Sequence, residues 1–129
     1  MSIRILLVDD EPDFIETMAK RFTIRKMPVT SARSGAEAVK LIAEQEFDVV
    51  VLDVRMPGMD GLETLKEIRR IAPLTEVIML TGHASLETGM QGMNLGAYDY
   101  ILKPADFDEL LDKVRKANER KTLNAAAQG

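Results

Sequence analysis

The chain contains no cysteine, which excludes a disulfide framework and any thiolate metal site and fits a reducing compartment. It has no long hydrophobic run: no stretch approaches the roughly 18 consecutive apolar residues that a spanning helix needs. It opens into an apolar strand-like segment without the basic, then apolar, pattern of a targeting peptide, so the expectation is a cytoplasmic protein with no membrane contact. Positive charge is not in excess either. The formal net charge is −4 and the pI about 5.1, which argues against direct nucleic-acid binding as the main activity. What the 129 residues do have is 46% apolar content, ample for one domain with one core.

Five short segments rich in Val, Ile and Leu recur along the chain at 3–8, 28–32, 48–53, 76–81 and 98–102. The first, third and fourth are nearly continuous in apolar character, the mark of strands covered on both faces. Helical periodicity fills the intervals. Phe14, Ile15, Met18, Ala19 and Phe22 share one face; Ala38, Val39, Leu41 and Ile42 share another, behind Ser34 or Gly35; Leu62, Leu65 and Ile68 lead to Pro73, which ends the third helix. Phe107, Leu110, Leu111, Val114 and Ala117 define the last helix, with Asp106 as N-cap. In the segment 85–97, Gly89 and Gly92 each cost a helix roughly 1 kcal/mol relative to Ala, so this fourth helix is expected to be marginal and held by Leu86, Met90, Met93 and Leu95. Strict alternation of strand and helix predicts an α/β fold with a doubly wound parallel sheet. One domain is expected over residues 1–121, with a frayed tail over 122–129.

In such a sheet ligands bind outside the carboxyl ends of the strands, near the switch in strand order. That rule brings together Asp9 and Asp10 after the first strand, Asp53 at the end of the third, Thr81 after the fourth and Lys103 with Pro104 after the fifth. Two like charges about 4 Å apart cost on the order of 4 kcal/mol at an effective dielectric near 20, so three crowded carboxylates need an offset. Protonation or a lysine would serve, and oxygen donors from two strands suit a hard divalent cation, Mg²⁺ in particular. Asp9 and Asp10 could equally cap the helix that begins near Pro12, but capping does not explain Asp53. Asp60 is the better candidate for a turn or cap beside Pro57, Gly58 and Gly61. A carboxylate beside Mg²⁺, with an ammonium and a hydroxyl opposite, can act as a nucleophile towards phosphorus.

The segments LLVDDEP, VVVLDVRMPGMDG, IMLTGHAS and GAYDYILKP resemble the receiver domain of two-component response regulators, over residues 3 to about 120. The resemblance implies a flavodoxin-like (βα)5 fold with strand order 2-1-3-4-5. It implies that Asp53 is the phosphoacceptor, that Asp10 and Asp53 ligate Mg²⁺ with the backbone carbonyl of Arg55, and that Asp9 holds a metal-bound water. It implies further that Thr81 and Lys103 contact the phosphoryl group, that the Lys103 to Pro104 peptide is cis, and that Thr81 and Tyr100 form the switch. Arg55 and His83 would line the access route and modulate hydrolysis. The implied partners are a histidine kinase or phosphotransfer protein and a downstream target or output domain. A phosphorylation-dependent homodimer, with charges from Asp99 and Lys113 or Arg115, is a further expectation. Such a domain signals and catalyses its own phosphorylation; it is not a turnover enzyme. The alternative is an interaction module with this fold that never cycles phosphate. A flavin carrier would need a phosphate loop where the chain has Asp9, Asp10 and Glu11, and an aspartyl phosphatase would carry an Asp-x-Asp pattern after the first strand.

Overall fold

A computed structural model describes residues 2–54, 60–82 and 86–128. Its elements alternate in the expected order: β1 (Ile5–Val8), α1 (Pro12–Ile24), β2 (Val29–Ala32), α2 (Gly35–Glu44), β3 (Val49–Asp53), α3 (Gly61–Ile71), β4 (Glu76–Thr81), α4 (Leu86–Asn94), β5 (Asp99–Leu102) and α5 (Phe107–Gln128). The strands form one parallel sheet in the order β2-β1-β3-β4-β5. Every residue of β1, β3 and β4 is buried, whereas β2 and β5 lie at the edges and are only partly so. Continuous apolar runs therefore mark the three strands with two covered faces.

The two-residue period of a strand sorts those side chains into two cores. Ile5, Leu7, Val49, Val51, Ile78 and Leu80 face α1 and α5, where Phe22, Phe107, Leu110 and Val114 meet them. Leu6, Val8, Val50, Leu52, Val77 and Met79 face the other way, against Ala38, Ile42, Leu65 and Ile68 of α2 and α3. Helix starts are fixed locally. Ser34 Oγ accepts from the Glu37 amide at 3.1 Å, Asp60 Oδ1 from Leu62 at 3.0 Å and Asp106 Oδ2 from Glu109 at 3.2 Å, each satisfying a donor that a helix N-terminus leaves open. α3 ends at Ile71, two residues before Pro73. Gly61 packs so closely on the residue after Asp53 that a Cβ there would lie 2.3 Å from Val54 Cα.

One expectation needs correction. Met90 and Met93 do not hold α4 to the sheet, because they are 60% and 40% exposed. Among the described side chains of that helix the buried positions are Gly89 and Gly92, so the small residues bring its backbone close and turn the methionines outward; Leu86 lies outside them. The tail continues as helix to Gln128, with Thr122 to Gln128 all exposed. Its alanines are the strongest helix formers, and two ion pairs fasten the turn before it.

Those pairs lie at the amino ends of the strands. Glu76, 1% exposed, opens β4 and accepts from both Nε and Nη2 of Arg120, the latter at 2.8 Å, while Arg69 of α3 stands 3.6 Å away. Asp48 accepts from Lys121 at 2.9 Å and from the Arg4 amide at 2.8 Å. A buried carboxylate that loses its partner is costly. Arg120 is partly solvated and Arg69 remains, so Arg120→Ala should destabilise the fold by about 2 kcal/mol, less than the full cost of a wholly buried pair. Chemical denaturation measures this; a loss within about 0.5 kcal/mol, the range of an ordinary surface change, would mean that Arg69 alone satisfies Glu76.

Candidate phosphoacceptor site

Parallel strands end on the same rim, and that rim carries the acidic residues. The backbone ladder continues past the strand ends: the Asp9 amide donates to Ala32 at 3.0 Å, the Val54 amide to Leu80 at 3.2 Å and the Lys103 amide to Thr81 at 2.7 Å. These bonds hold Asp9, Asp53, Thr81 and Lys103 in fixed register although they lie up to 94 positions apart in the chain. Asp9 is fully buried and Asp53 nearly so, while Asp10 and Glu11 are exposed.

Lys103 ties the rim together. Its Nζ donates to Asp9 Oδ2 at 3.0 Å, to Asp53 Oδ2 at 3.3 Å and to Glu11 Oε1 at 3.3 Å, and it stands 4.9 Å from the centroid of the Phe14 ring, a cation–π contact. The peptide joining Lys103 to Pro104 is cis. A cleft of about 640 Å³ opens beside these groups, lined by Asp10, Glu11, Phe14, Asp53, Gly82, Lys103, Pro104 and Ala105. Burial pushes the Asp9 carboxyl above its usual range, against the pull of the Glu11 amide and of Lys103. For Lys103 burial is the largest single influence and disfavours the ammonium, but Asp9 and Asp53 together outweigh it and hold its pKa above that of a free lysine. Both shifts express one condition, a site with more negative than positive charge and little water.

Asp9, Asp10, Glu11 and Asp53 each offer a carboxylate oxygen, and these oxygens lie within 4.8 Å of one another. Four hard oxygen donors and one competing ammonium fit a divalent cation of the Mg²⁺ type better than a soft or nitrogen-preferring metal. Thr81 is fully buried, and its Oγ1 has no hydrogen-bond partner among the described residues. A buried hydroxyl without a partner costs about 1–3 kcal/mol.

The structure thus gathers Asp9, Asp10, Asp53 and Lys103 in one cluster and sets Thr81 at the end of the neighbouring strand. Tyr100 does not line the cleft; it is half-buried on the face of the sheet that α4 covers. Arg55 and His83 lie outside the described residues. The N-cap of α1 is Glu11, with no side-chain cap bond, and Asp9 serves the start of that helix in one respect, because its Oδ1 accepts from the Glu11 amide at 3.0 Å. Asp99 is bonded to Lys113 of the same chain at 2.5 Å, so that pair is an internal tie between β5 and α5. Sequence reasoning gave no site role to Glu11 or Phe14. Their adjacency to Asp10 was the available signal, but their contact with Lys103 spans about ninety positions and exists only in the folded sheet.

Among the described residues no helix is long and apolar enough to cross a membrane. Comparison with known proteins supplies relatives in number. AtoC and ZraR of Escherichia coli, a regulatory and a transcriptional regulatory protein by name, are 38% and 40% identical over 120 and 116 residues, or 93% and 90% of this chain. The chain spans about a quarter of their length, 26% in each case. Among solved structures, one described as an adenylate cyclase from Rhodopirellula baltica superposes with a TM-score of 0.94 at 31% identity, covering 99% of this chain and 96% of that one. A CheY-like response regulator receiver domain protein from Methanospirillum hungatei superposes with 0.91 at 29% identity, covering 96% and 99%. The response regulator receiver domain matches residues 5–115, a span that begins at the first residue of β1 and ends inside α5, so that the sheet, its helices and the acidic rim all fall within it: this chain belongs to the response regulator receiver family.

Proposed function

We propose that the domain is a working phosphoacceptor of a two-component system, and that Asp53 receives the phosphoryl group from the phosphohistidine of a histidine kinase or phosphotransfer protein, or from a small donor such as acetyl phosphate. The observation that carries this reading is the placement of Asp53, at the end of the central strand, within reach of Lys103 and in the same carboxylate cluster as Asp9 and Asp10. In the transfer an oxygen of the Asp53 carboxylate attacks phosphorus, the P–N bond breaks and its electron pair returns to the imidazole. Water later cleaves the acyl phosphate and restores the carboxylate. Little covalent chemistry falls to other residues, so catalysis is positioning and charge.

Asp9, Asp10 and Asp53 would hold Mg²⁺, whose part is to neutralise the charge that gathers on the transferring oxygens. Lys103 already stands between Asp9 and Asp53 and needs only a small movement to pair with a phosphoryl oxygen. The Thr81 hydroxyl supplies a donor for another, which accounts for its lack of a partner. Arg55 and His83 are assigned to the access route. Phosphorylation adds about −1.5 to −2 charge, and we assign its readout to Thr81, Tyr100 and the face made by α4, β5 and α5.

Members of this family work with histidine kinases and output domains. ZraR is by name a transcriptional regulatory protein, which extends the reading to transcription and stands against the expectation of no direct nucleic-acid contact for any regulator of which this domain forms a part.

Incubation with acetyl phosphate and Mg²⁺ should add one phosphoryl group by intact-protein mass spectrometry, and neither Asp53→Asn nor metal-free protein should gain it. Uptake that persists in Asp53→Asn would place the acceptor elsewhere. Mg²⁺ at ten times its dissociation constant should stabilise the fold by about 1.4 kcal/mol; a melting temperature indifferent to Mg²⁺ would count against the metal site. Thr81→Val should raise stability by about 1 kcal/mol, since it removes a buried unpaired hydroxyl, and should slow phosphoryl uptake. A destabilised Thr81→Val would mean that the hydroxyl serves the fold.

A further inference from the structure

A lysine ammonium has three N–H donors. On Lys103 the carboxylates of Asp9, Asp53 and Glu11 take all three, so a phosphoryl oxygen that pairs with this ammonium has to displace one of them. The three are not equally easy to displace. The Asp9 side chain is wholly buried and that of Asp53 is 5% exposed, and a carboxylate in either place has little water to turn to. The Glu11 side chain is 65% exposed. It can exchange the lysine for solvent at the small cost of an exposed ion pair.

Glu11 precedes the first turn of α1 and Phe14 lies in that turn, and both reach Lys103 across the rim. The Phe14 ring is half-buried against the core, with its centroid 4.9 Å from Nζ. The face of a ring attracts the charge itself rather than accepting one hydrogen bond, so its hold on the ammonium does not depend on which acids fill the donors. We propose that Glu11 is a placeholder on Lys103: it occupies the third N–H in the resting domain and gives it up to the phosphoryl oxygen, while Phe14 keeps the ammonium between Asp9 and Asp53 during the exchange. Both are positioning residues that act through Lys103. The placeholder slows phosphoryl uptake, because the incoming group competes with an anion already in place. This inference rests on the phosphoacceptor reading for the identity of the incoming group; the sharing of the three donors is a property of the fold.

Uptake from acetyl phosphate at saturating Mg²⁺, timed by intact-protein mass spectrometry, tests the placeholder. Glu11→Gln should speed uptake about two- to fivefold, the worth of an exposed ion pair. Glu11→Asp keeps the charge but withdraws it from Nζ by one methylene, and should speed uptake as much. A Glu11→Asp domain as slow as the wild type beside a faster Glu11→Gln would mean that the charge repels the donor from a distance, and no gain in either would mean that Glu11 does not compete; each result overturns the proposal. NMR of protein labelled with ¹³C-lysine tests the part of Phe14, with Lys103→Arg assigning the resonance. The ε-methylene protons of Lys103 should lie upfield of those of the other lysines in the wild type and in Glu11→Gln alike, and should return to the ordinary position in Phe14→Leu. An upfield shift lost in Glu11→Gln would mean that the ammonium follows Glu11, and would overturn the role of the ring. Uptake by the wild type with no gain in the Glu11 variants leaves the phosphoacceptor reading intact. Absence of uptake by the wild type defeats that reading, and the placeholder with it.

Discussion

The ammonium of Lys103 is shared by three carboxylates from two other parts of the chain, and the acidic rim depends on that sharing. Asp9 and Asp53 cannot move apart, since each is fixed by the strand it ends or follows. They are nearly dry, so their repulsion is poorly screened, and a single cation of either kind, a lysine or a bound metal, has to offset it. Lys103 arrives from the far side of the sheet, across β4, and its backbone is bonded to Thr81. The ion cluster therefore links β1, β3 and β5 at their carboxyl ends while the ladder links them along their length. It balances charge for the fold, and it supplies the geometry a phosphoryl group would use.

The opposite rim is organised by the same principle with a different result. Glu76 at the start of β4 is as buried as Asp53, but it is paired with two arginines that come from helices. Charge there is matched and serves to fasten α3 and α5. At the carboxyl rim, among the described residues, four carboxylates gather around one ammonium. That ratio sets the acidic rim apart from the structural tie at the opposite ends of the strands.

Between the rims, the two faces of the sheet are packed differently. The α1 and α5 face is built from large side chains, with Phe22 and Phe107 in contact at 5.0 Å between ring centroids. The face under α4 is built from glycine on the helix and from Met79 and Tyr100 on the strands.

Much of this was readable in order along the chain. Continuous apolar runs marked the three central strands, because a strand covered on both faces has no polar side. Ser34, Asp60 and Asp106 marked helix starts, because a cap acts within three residues of itself. The resemblance of four motifs, joined to the rule that ligands sit at the carboxyl ends of parallel strands, was enough to nominate Asp9, Asp10, Asp53, Thr81 and Lys103 for one rim. Local sequence could not determine contacts that close over long separations. That Lys103 also holds Glu11 and lies against Phe14, that Arg120 buries its charge on Glu76, and that Thr81 is left without a partner follow from which strand lies beside which. The fourth helix shows the limit most clearly: periodicity put its methionines in the core, but the packing of a helix on a sheet is chosen by the surface it meets, and Met79 and Tyr100 stand close beneath the two glycines.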